Sequence, residues 1–450
     1  MKFNTQRLLL RGRLTLQRWL RLSIFLAGGV AVGGAATLMA LVADQAQSHL
    51  IHFLKWAPYA GLLLTPLGFA LAAFLATRYF PQAGGSGIPQ AIAALRLRNA
   101  AQSASMVSLR VAAGKFLTMT IGLICGASIG REGPTAQVGA AIMFALGRFS
   151  PQHRSRYLLA GAAAGVAAAF NAPLAGIAFG IEEMARSFET RSSGLIVLAI
   201  MAAGGAAIAL QGDYVYFGVA HSSLPFGKAW VQAAILAIIC GLLGGLFNRI
   251  VMYFATGRTG PAAFARHRPV IFAALCGLGV ALCGLKGDYS IFGTGYAQAA
   301  VVVHGSGAID YAFGPLKFLA TTLSTIAGLP GGLFSPSLAI GAGVTSFFSY
   351  YLNVAPLGAL ALIGMVAYLT GVVQAPITAF IIVSEMTQDH AMVIPLMAAA
   401  LIARSASKLI CGDGLYQLLA EKCVQDCNAA QAQAGGSRSP DADAPQVRVS

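Results

Sequence analysis

The chain has 450 residues, of which 57% are hydrophobic and only 10% are charged, with a formal net charge of +15. A soluble domain carries about 25% charged residues, so the composition excludes an ordinary soluble protein and favours one with many membrane spans. The positive charge does not indicate nucleic-acid binding, because it lies beside apolar stretches and the sequence contains no nucleic-acid motif.

The N-terminal segment, residues 1–22, contains five arginines before the first apolar stretch. We predict a basic amphipathic helix that lies on the membrane surface, and the positive-inside rule places it in the cytoplasm. The apolar run 23–43 is too long for a signal-peptide core and further spans follow, so it is the predicted first membrane helix.

Apolar stretches of about 20 residues recur along the chain, which predicts an all-α membrane protein. Many of them are rich in Gly and Ala, which suits close contact between helices in lipid. The clearest stretches are 23–43, 58–77, 158–181, 229–246, 355–385 and 392–410.

Two segments, GREGPTAQVGA at 130–140 and GGLFSPSLAIGA at 331–342, share the pattern G-x-x-x-P-x-x-x-x-G-A at an offset of 202 residues. Upstream, Lys115-Phe116-Leu117 recurs as Lys317-Phe318-Leu319 at the same offset. A constant offset over this length indicates duplication. We predict two transmembrane repeats, at 23–211 and 225–427, with a transport site between them.

A third pair of related segments follows. Glu183-Met184 recurs as Glu385-Met386, and each Glu-Met pair comes after an Ala-Pro step, with a one-residue gap between the two copies.

Three Gly/Pro motifs interrupt apolar patterns: GSGIP at 85–89, GREGP at 130–134 and GGLFSP at 331–336. Proline suits the first turn of a helix, and the glycines leave backbone N–H groups bare. Helix N-termini that point into a membrane offer unpaired donors and a partial positive charge. The motifs therefore predict a weak anion site, as conduction requires.

Four carboxylates lie in apolar surroundings, where ionisable groups are expensive and are functional candidates. We predict a functional role for Glu132, which opens a Gly-rich helix start beside Arg131. Of the adjacent Glu182 and Glu183, one is expected to face a pathway while the other anchors a helix. Glu385 is expected to anchor a helix end.

Lys115 and Lys317 occupy related positions in the two repeats, and two interpretations stay open for them. They add positive potential along an anion route, or they extend to the membrane interface from near the helix ends. Cys423 and Cys427 have no His or further Cys nearby, so we predict no metal site.

The motifs GSGIP, GREGP and Gly332-Leu333-Phe334-Ser335-Pro336, with a late tyrosine in DGLYQLL (413–419), resemble the CLC chloride channels and proton-coupled chloride transporters. The resemblance runs from about residue 23 to about residue 425. The chain resembles the bacterial members of the family, especially the ClcB-like branch. It implies the CLC fold: two inverted repeats of tilted, partly discontinuous helices, with one pore per subunit of a homodimer.

The resemblance also implies roles for particular residues. Ser86 and Tyr416 would donate hydroxyls to a central chloride, together with the backbone N–H groups of Leu333 and Phe334. Glu132 would be the gating and external proton glutamate. Glu183 would be the internal proton glutamate. No cofactor is implied beyond chloride and protons as the transported ions.

This sequence departs from the family at Gln90, where an acidic residue usually follows GSGIP. We expect little change in anion coordination from this neutral side chain. Fluoride-exporting relatives usually differ at the serine of GSGIP, so Ser86 favours chloride.

Three hypotheses follow: a proton-coupled chloride antiporter, a passive voltage-gated type chloride channel, and an intramembrane enzyme. Glu183 favours the first hypothesis over the second. The third lacks HExxH, GxSxG and a plausible Ser/His pair, so we predict that the protein is not an enzyme. The expected location is a bacterial inner membrane, with both termini cytoplasmic, a disordered tail at 428–450 and no CBS domains.

Overall fold

The computed structural model describes residues 2–97, 99–149, 153–185, 193–212, 214–305, 310–351 and 355–436. Nearly all of these residues are helical and none of them forms a β-strand, which confirms the all-α prediction. The helices in chain order are α1 Lys2–Trp56, α2 Gly61–Arg78, α3 Ile88–Arg96, α4 Ala100–Val107, α5 Leu109–Ile124, α6 Glu132–Leu146, α7 Arg154–Phe170, α8 Pro173–Phe179, α9 Ser193–Gln211, α10 Lys228–Thr256, α11 Gly260–His267, α12 Pro269–Lys286, α13 Tyr296–Val303, α14 Phe313–Ile326, α15 Phe334–Tyr351, α16 Leu357–Val373, α17 Pro376–Thr387, α18 Val393–Lys408 and α19 Leu415–Gly436.

Seven helical segments in this part of the chain are long and apolar enough to cross a membrane. Their lengths run from 18 to 38 residues, against about 20 residues needed to span the hydrocarbon core. The segments are Trp19–Trp56, Pro58–Arg78, Ala100–Ile124, Gly194–Gln211, Lys228–Thr256, Pro269–Lys286 and His390–Lys408.

Two predicted spans, 158–181 and 355–385, are each divided in two at an Ala-Pro step. The first half of each ends at a left-handed residue, Asn171 with φ 52° and Gln374 with φ 59°. The second half of each begins with the proline, which fits the first turn of a helix. The alanine between them is held out of the helical region by the proline that follows it. Apolar composition hid these breaks, and they produce the short helices α8 and α17.

The two ends of the chain differ from the predicted boundaries. Helix α1 runs without interruption through residue 22, so the surface position of residues 1–22 stays a prediction. The tail predicted to be disordered from residue 428 is helical as far as Gly436, which corrects that part of the prediction. Alanine, the best helix former, recurs in this segment. Residues 437–450 lie outside the described residues.

The centre of the fold is formed by α7 and α16, which are buried along most of their length. They pack against α6 and α15, the helices that follow the duplicated Gly/Pro motifs. The loops before α6 and α15 meet in an antiparallel bridge between Gly130 and Gly332, which are themselves 202 residues apart. The repeat-related helix starts therefore lie side by side at the core of the protein.

Candidate functional site

The N-termini of three helices converge at the bridge between Gly130 and Gly332. Each of these glycines donates its N–H to the carbonyl of the other, at 2.8 and 2.7 Å. The loop before α3 joins them, because Gly85 donates to the Gly328 carbonyl and accepts from Gly331 N–H, both at 3.2 Å. Backbone pairing thus fixes the starts of α3, α6 and α15 around one point.

Glycine at two positions permits this close approach. A Cβ atom on Gly133 would lie 2.7 Å from the Ser86 carbonyl oxygen and 3.1 Å from the Gly332 Cα. A Cβ atom on Gly332 would lie 2.8 Å from the Gly133 nitrogen. Any side chain here would push the helix starts apart, so the glycines of both motifs are required by packing.

The four residues predicted to bind chloride come together here. Ser86, Leu333, Phe334 and Tyr416 are all buried. The Tyr416 hydroxyl faces the Ser86 side chain and the Leu333 backbone N–H, but neither hydroxyl has a hydrogen-bond partner within the described residues. Buried polar groups are normally paired. Two unpaired hydroxyls beside helix N-termini therefore favour an anion as their partner.

Glu132 is the first residue of α6 and is fully buried. Its Oε1 accepts a hydrogen bond from the Ser335 hydroxyl, whereas its Oε2 has no partner in this part of the structure. Its neighbour Arg131 instead pairs with Asp44, at 2.8 Å, and donates to the Ala40 carbonyl at 3.0 Å. The adjacent Arg131 and Glu132 side chains thus have different hydrogen-bond partners.

Cavities lie on both sides of these groups. A cavity of about 680 Å³ is lined by Arg131, Asp44 and Tyr216, on the side of Glu132. A smaller cavity of about 190 Å³ is lined by Ser86 and Leu333. It shares residues 254–255 with a further cavity of about 520 Å³ that is lined by loop and helix-end residues. Neither of these two cavities shares a lining residue with the first one.

Glu183 lies in a π-helical turn, Gly180–Ala185, that follows α8. The residue is buried, and the Gln417 amide nitrogen donates to its carbonyl oxygen at 2.7 Å and to its Oε1 at 2.9 Å. Glu182, Glu183 and Gln417 line a separate cavity of about 570 Å³. The same helix that carries Tyr416 to Ser86 thus carries Gln417 to Glu183.

Glu385 anchors a helix, as expected from the sequence, and of the adjacent pair it is Glu182 that does so. Each caps the start of a helix in the other repeat. Glu385 accepts from Leu174 N–H at 3.1 Å and Ala175 N–H at 2.8 Å, at the start of α8. Glu182 accepts from Ile377 N–H at 3.2 Å and Thr378 N–H at 2.7 Å, at the start of α17. We name this pair the crossed caps.

The crossed caps correct the pairing that the sequence offered. Glu385 is the counterpart of Glu182, which precedes it by 203 residues. It is not the counterpart of Glu183, which precedes it by 202 residues. The insertion of one residue before the second Ala-Pro step shifts the register. The two Glu-Met dipeptides therefore do not occupy equivalent positions in the two repeats.

Both buried lysines hold backbone carbonyls. Lys115 donates to Gly84 O at 3.1 Å and Gly85 O at 2.8 Å, in the loop before α3. Lys317 donates to the carbonyls of residues 291 and 293 at 2.8 and 2.7 Å, in the loop before α13. Neither ammonium reaches the interface, so that interpretation is wrong. Each lysine holds the loop that precedes a short helix, α3 or α13.

Sequence reasoning missed Ser335 and Gln417, and it named Gln90 without its structural role. Ser335 binds Glu132, Gln417 binds Glu183, and Gln90 caps α3 by accepting from Gly87 N–H at 3.0 Å. Ser335 and Gln417 stand next to motif residues, which was the available signal, but their partners are 203 and 234 residues away. The described residues contain no group of three His, Cys, Asp or Glu side chains that could hold a metal.

The sequence matches known proteins over most of its length. The family model described as "Voltage gated chloride channel" matches residues 68–408. A relative named H(+)/Cl(-) exchange transporter ClcA, from Citrobacter koseri, is 32% identical over 409 residues, which cover 84% of this chain and 82% of the relative. The protein of the same name from Yersinia pestis is 30% identical, over 91% of this chain and 90% of the relative. The narrower resemblance to the ClcB-like branch stays a prediction.

Solved structures have the same fold. A slow cyanobacterial Cl⁻/H⁺ antiporter aligns with a TM-score of 0.75 at 24% identity, over 91% of this chain and 99% of the other. A CLC-type fluoride/proton antiporter aligns with a TM-score of 0.73 at 19% identity, over 90% and 98%. A eukaryotic CLC transporter aligns with a TM-score of 0.72 at 25% identity, over 90% of this chain and 74% of the other. These similarities establish the fold.

Proposed function

The chain belongs to the voltage gated chloride channel family, the CLC family, and we propose that it exchanges chloride for protons across a bacterial inner membrane. The relatives at 30–32% identity are named as H⁺/Cl⁻ exchange transporters and not as enzymes, which supports the antiporter over the intramembrane enzyme.

One observation carries the proposal: a buried carboxylate with an unpaired oxygen stands where three helix N-termini converge. An ionised Glu132 carries the same charge as chloride and can occupy the position that an anion would take beside these N–H groups. A protonated Glu132 loses that attraction and leaves the position to chloride. One titrating side chain can thus alternate between gating the anion and carrying the proton.

Glu183 supplies the second step that exchange requires. The proton must pass between Glu132 and the opposite side of the membrane without following the whole chloride path. Glu183 is buried, and the cavity that it lines is distinct from the cavity beside Ser86. The two cavities support separate routes for the proton and for chloride on this side. We assign Glu132 and Glu183 as the external and internal proton glutamates.

Ser86, Tyr416 and the N–H groups of Leu333 and Phe334 form the proposed central chloride site. Hydroxyl and amide donors are neutral, so they hold an anion without the full charge that would prevent its release. The Phe334 ring lies edge-on to Tyr416, with 5.8 Å between the ring centroids, and positions the phenol beside Ser86.

The test is simultaneous measurement of chloride efflux and proton uptake in proteoliposomes. Wild-type protein should drive protons uphill under a steep chloride gradient. Glu132→Gln, which mimics the protonated carboxyl, should keep chloride flux and abolish both proton movement and pH dependence. Glu183→Gln should stop proton movement and keep chloride flux.

Glu182→Gln is the matched control, because Glu182 lines the same cavity as Glu183 but caps α17. It should leave the proton-to-chloride ratio unchanged. If wild-type protein moves chloride without protons, the antiporter proposal is wrong and the passive channel is correct. If Glu132→Gln still moves protons uphill, the gate is another residue.

We further propose a homodimer with both termini in the cytoplasm. The family resemblance supports the dimer, and the arginine-rich N-terminus supports the orientation. Single cysteines at residues 13 and 431, in a background without the seven native cysteines, should be protected from an impermeant external reagent. Cross-linking in native membranes should give a dimer and no larger species.

A further inference from the structure

We propose that Gln417 is a positioning residue for proton transfer at Glu183 and that Arg96 fixes the orientation of its amide. The proposal deepens the proposed function and rests on Glu183 as the internal proton glutamate. We name the connected side chains Glu183, Gln417, Arg96 and Glu421 the amide relay.

The amide relay is continuous from the buried carboxylate to the surface. The Gln417 amide nitrogen donates to Glu183, and the Gln417 Oε1 accepts from Arg96 Nη2. Arg96 Nη1 lies 3.8 Å from Glu421 Oε1, where both side chains are partly exposed. Gln417 itself is buried. A single amide therefore joins the proton glutamate to a surface cation.

Hydrogen-bond chemistry permits only one orientation of this amide. A guanidinium group has donors and no acceptor. The Gln417 oxygen must face Arg96, and its NH₂ group must then face Glu183. A flipped amide would place NH₂ against the guanidinium and its oxygen against a carboxylate, which loses both hydrogen bonds. Arg96 thus determines that the NH₂ group of Gln417, and not its oxygen, faces Glu183.

The fixed NH₂ group presents a donor to Glu183 Oε1 at 2.9 Å. An ionised carboxylate accepts on either oxygen, but a protonated carboxyl accepts best on its carbonyl oxygen. The contact with Gln417 therefore constrains the orientation in which the Glu183 carboxyl takes up a proton. A hydronium ion in the cavity gives up that proton: one of its O–H bonds breaks, an O–H bond on the Glu183 carboxyl forms, and water remains.

Other charged and titratable groups also face this carboxyl. They come from its own turn, from α18, from the loop before α19 and from α19 itself. They are Glu182, Arg404, Lys408, Asp413 and Tyr416. None of them has a side-chain hydrogen bond to Gln417 in the described structure, so they supply an electrostatic background to which Gln417 adds a directional contact.

Two substitutions of Gln417 test the proposal in different ways. Gln417→Ala removes the donor to Glu183 and should lower proton flux about tenfold, the effect of losing one hydrogen bond to a charged group, while chloride flux stays within about twofold. Gln417→Glu keeps the size but brings a second carboxyl to Glu183. It should move the pH of half-maximal proton flux upward by about one unit or more, since like charges favour protonation of one partner.

Arg96 and Lys408 provide the matched comparison. Arg96→Ala should lower proton flux as Gln417→Ala does. The double variant Arg96→Ala/Gln417→Ala should have no lower proton flux than either single variant. Arg96→Lys should keep most of the proton flux because lysine is also a cationic donor. Lys408→Ala removes a charge from the same cavity outside the relay and should leave the proton-to-chloride ratio unchanged.

Infrared titration separates this proposal from the proposed function. The Glu183 carboxyl band, assigned as the band lost in Glu183→Gln, should shift its frequency and its titration midpoint in Gln417→Glu and Gln417→Ala. If the wild-type protein transports no protons, the antiporter proposal is wrong. The infrared band of Glu183 would still test whether Gln417 acts on this carboxyl. An unchanged band in both Gln417 variants would overturn the role of Gln417, whatever the transport data show.

Discussion

The crossed caps give a quantitative prediction about how the two repeats stabilise each other. Glu385→Ala removes a carboxylate that accepts two backbone N–H groups at the start of α8. Loss of an N-terminal cap costs about 0.5–2 kcal/mol, and loss of a negative charge at a helix N-terminus costs about 0.3–1 kcal/mol. The free energy of unfolding should therefore fall by about 1–3 kcal/mol.

Glu182→Ala should cost at least as much as Glu385→Ala. It removes two equivalent contacts at the start of α17 and also an acceptor for the Thr378 hydroxyl, which donates to Glu182 at 2.8 Å. That additional hydrogen bond contributes about 0.5–1.5 kcal/mol. Replacement of either glutamate by glutamine keeps a carbonyl oxygen in place, so each glutamine variant should cost less than its alanine counterpart.

The assay is equilibrium unfolding of purified protein in mixed micelles titrated with sodium dodecyl sulfate. Asp426→Ala is the control, because Asp426 forms a surface pair with Lys422 on one exposed helix face and such pairs contribute about 0–1 kcal/mol. If Glu385→Ala costs no more than Asp426→Ala, the crossed caps do not stabilise the repeat interface. If the glutamine and alanine variants cost the same, the charge and not the hydrogen bonding is responsible.

Two further predictions concern the helix starts. Tyr416→Phe and Ser86→Ala should each weaken chloride binding, measured by calorimetry, about tenfold, since each removes one donor to an anion; unchanged affinity in both variants would refute the assignment of the central site. Lys115→Met and Lys317→Met should each lower the free energy of unfolding by about 2–5 kcal/mol, since each leaves two carbonyls without a donor; a shift in anion selectivity without loss of stability would contradict this structural role.

Local sequence rules predicted the parts of the fold that depend on neighbouring residues. The Gly/Pro motifs predicted helix starts because proline at the first turn and glycine before it act within a few residues. The motifs also predicted which starts are related, and Gly130 and Gly332 meet in the structure. Apolar composition predicted most of the spans but not the breaks at Asn171 and Gln374, because an Ala-Pro step does not change the mean hydropathy.

The partners of the functional carboxylates could not be predicted from the chain. The roles of Ser86 and Tyr416 came from the family resemblance, and their convergence depends on contacts between helices more than 300 residues apart in sequence. Asp44 pairs with Arg131 across 87 residues, and Gln417 binds Glu183 across 234 residues, so these contacts also depend on tertiary packing. Side-chain types constrain such pairs only after the packing of the helices is known.

Comparison of the two repeats separates the structural polar residues from the functional ones. The structural residues recur: Lys115 corresponds to Lys317, and both hold loop carbonyls. Glu182 likewise corresponds to Glu385, and both cap helices.

The two proposed proton carriers do not recur. At the repeat offsets, Glu132 corresponds to Phe334, and Glu183 corresponds to Met386. A duplicated scaffold must keep the groups that satisfy its backbone in both copies, because each copy has the same buried carbonyls and N–H groups to pair. A directional ion path has no such requirement. One copy can therefore present a carboxylate at the centre while the other presents an aromatic ring. The loss of symmetry at Glu132 and Glu183 is consequently an argument for their function that is independent of any family resemblance.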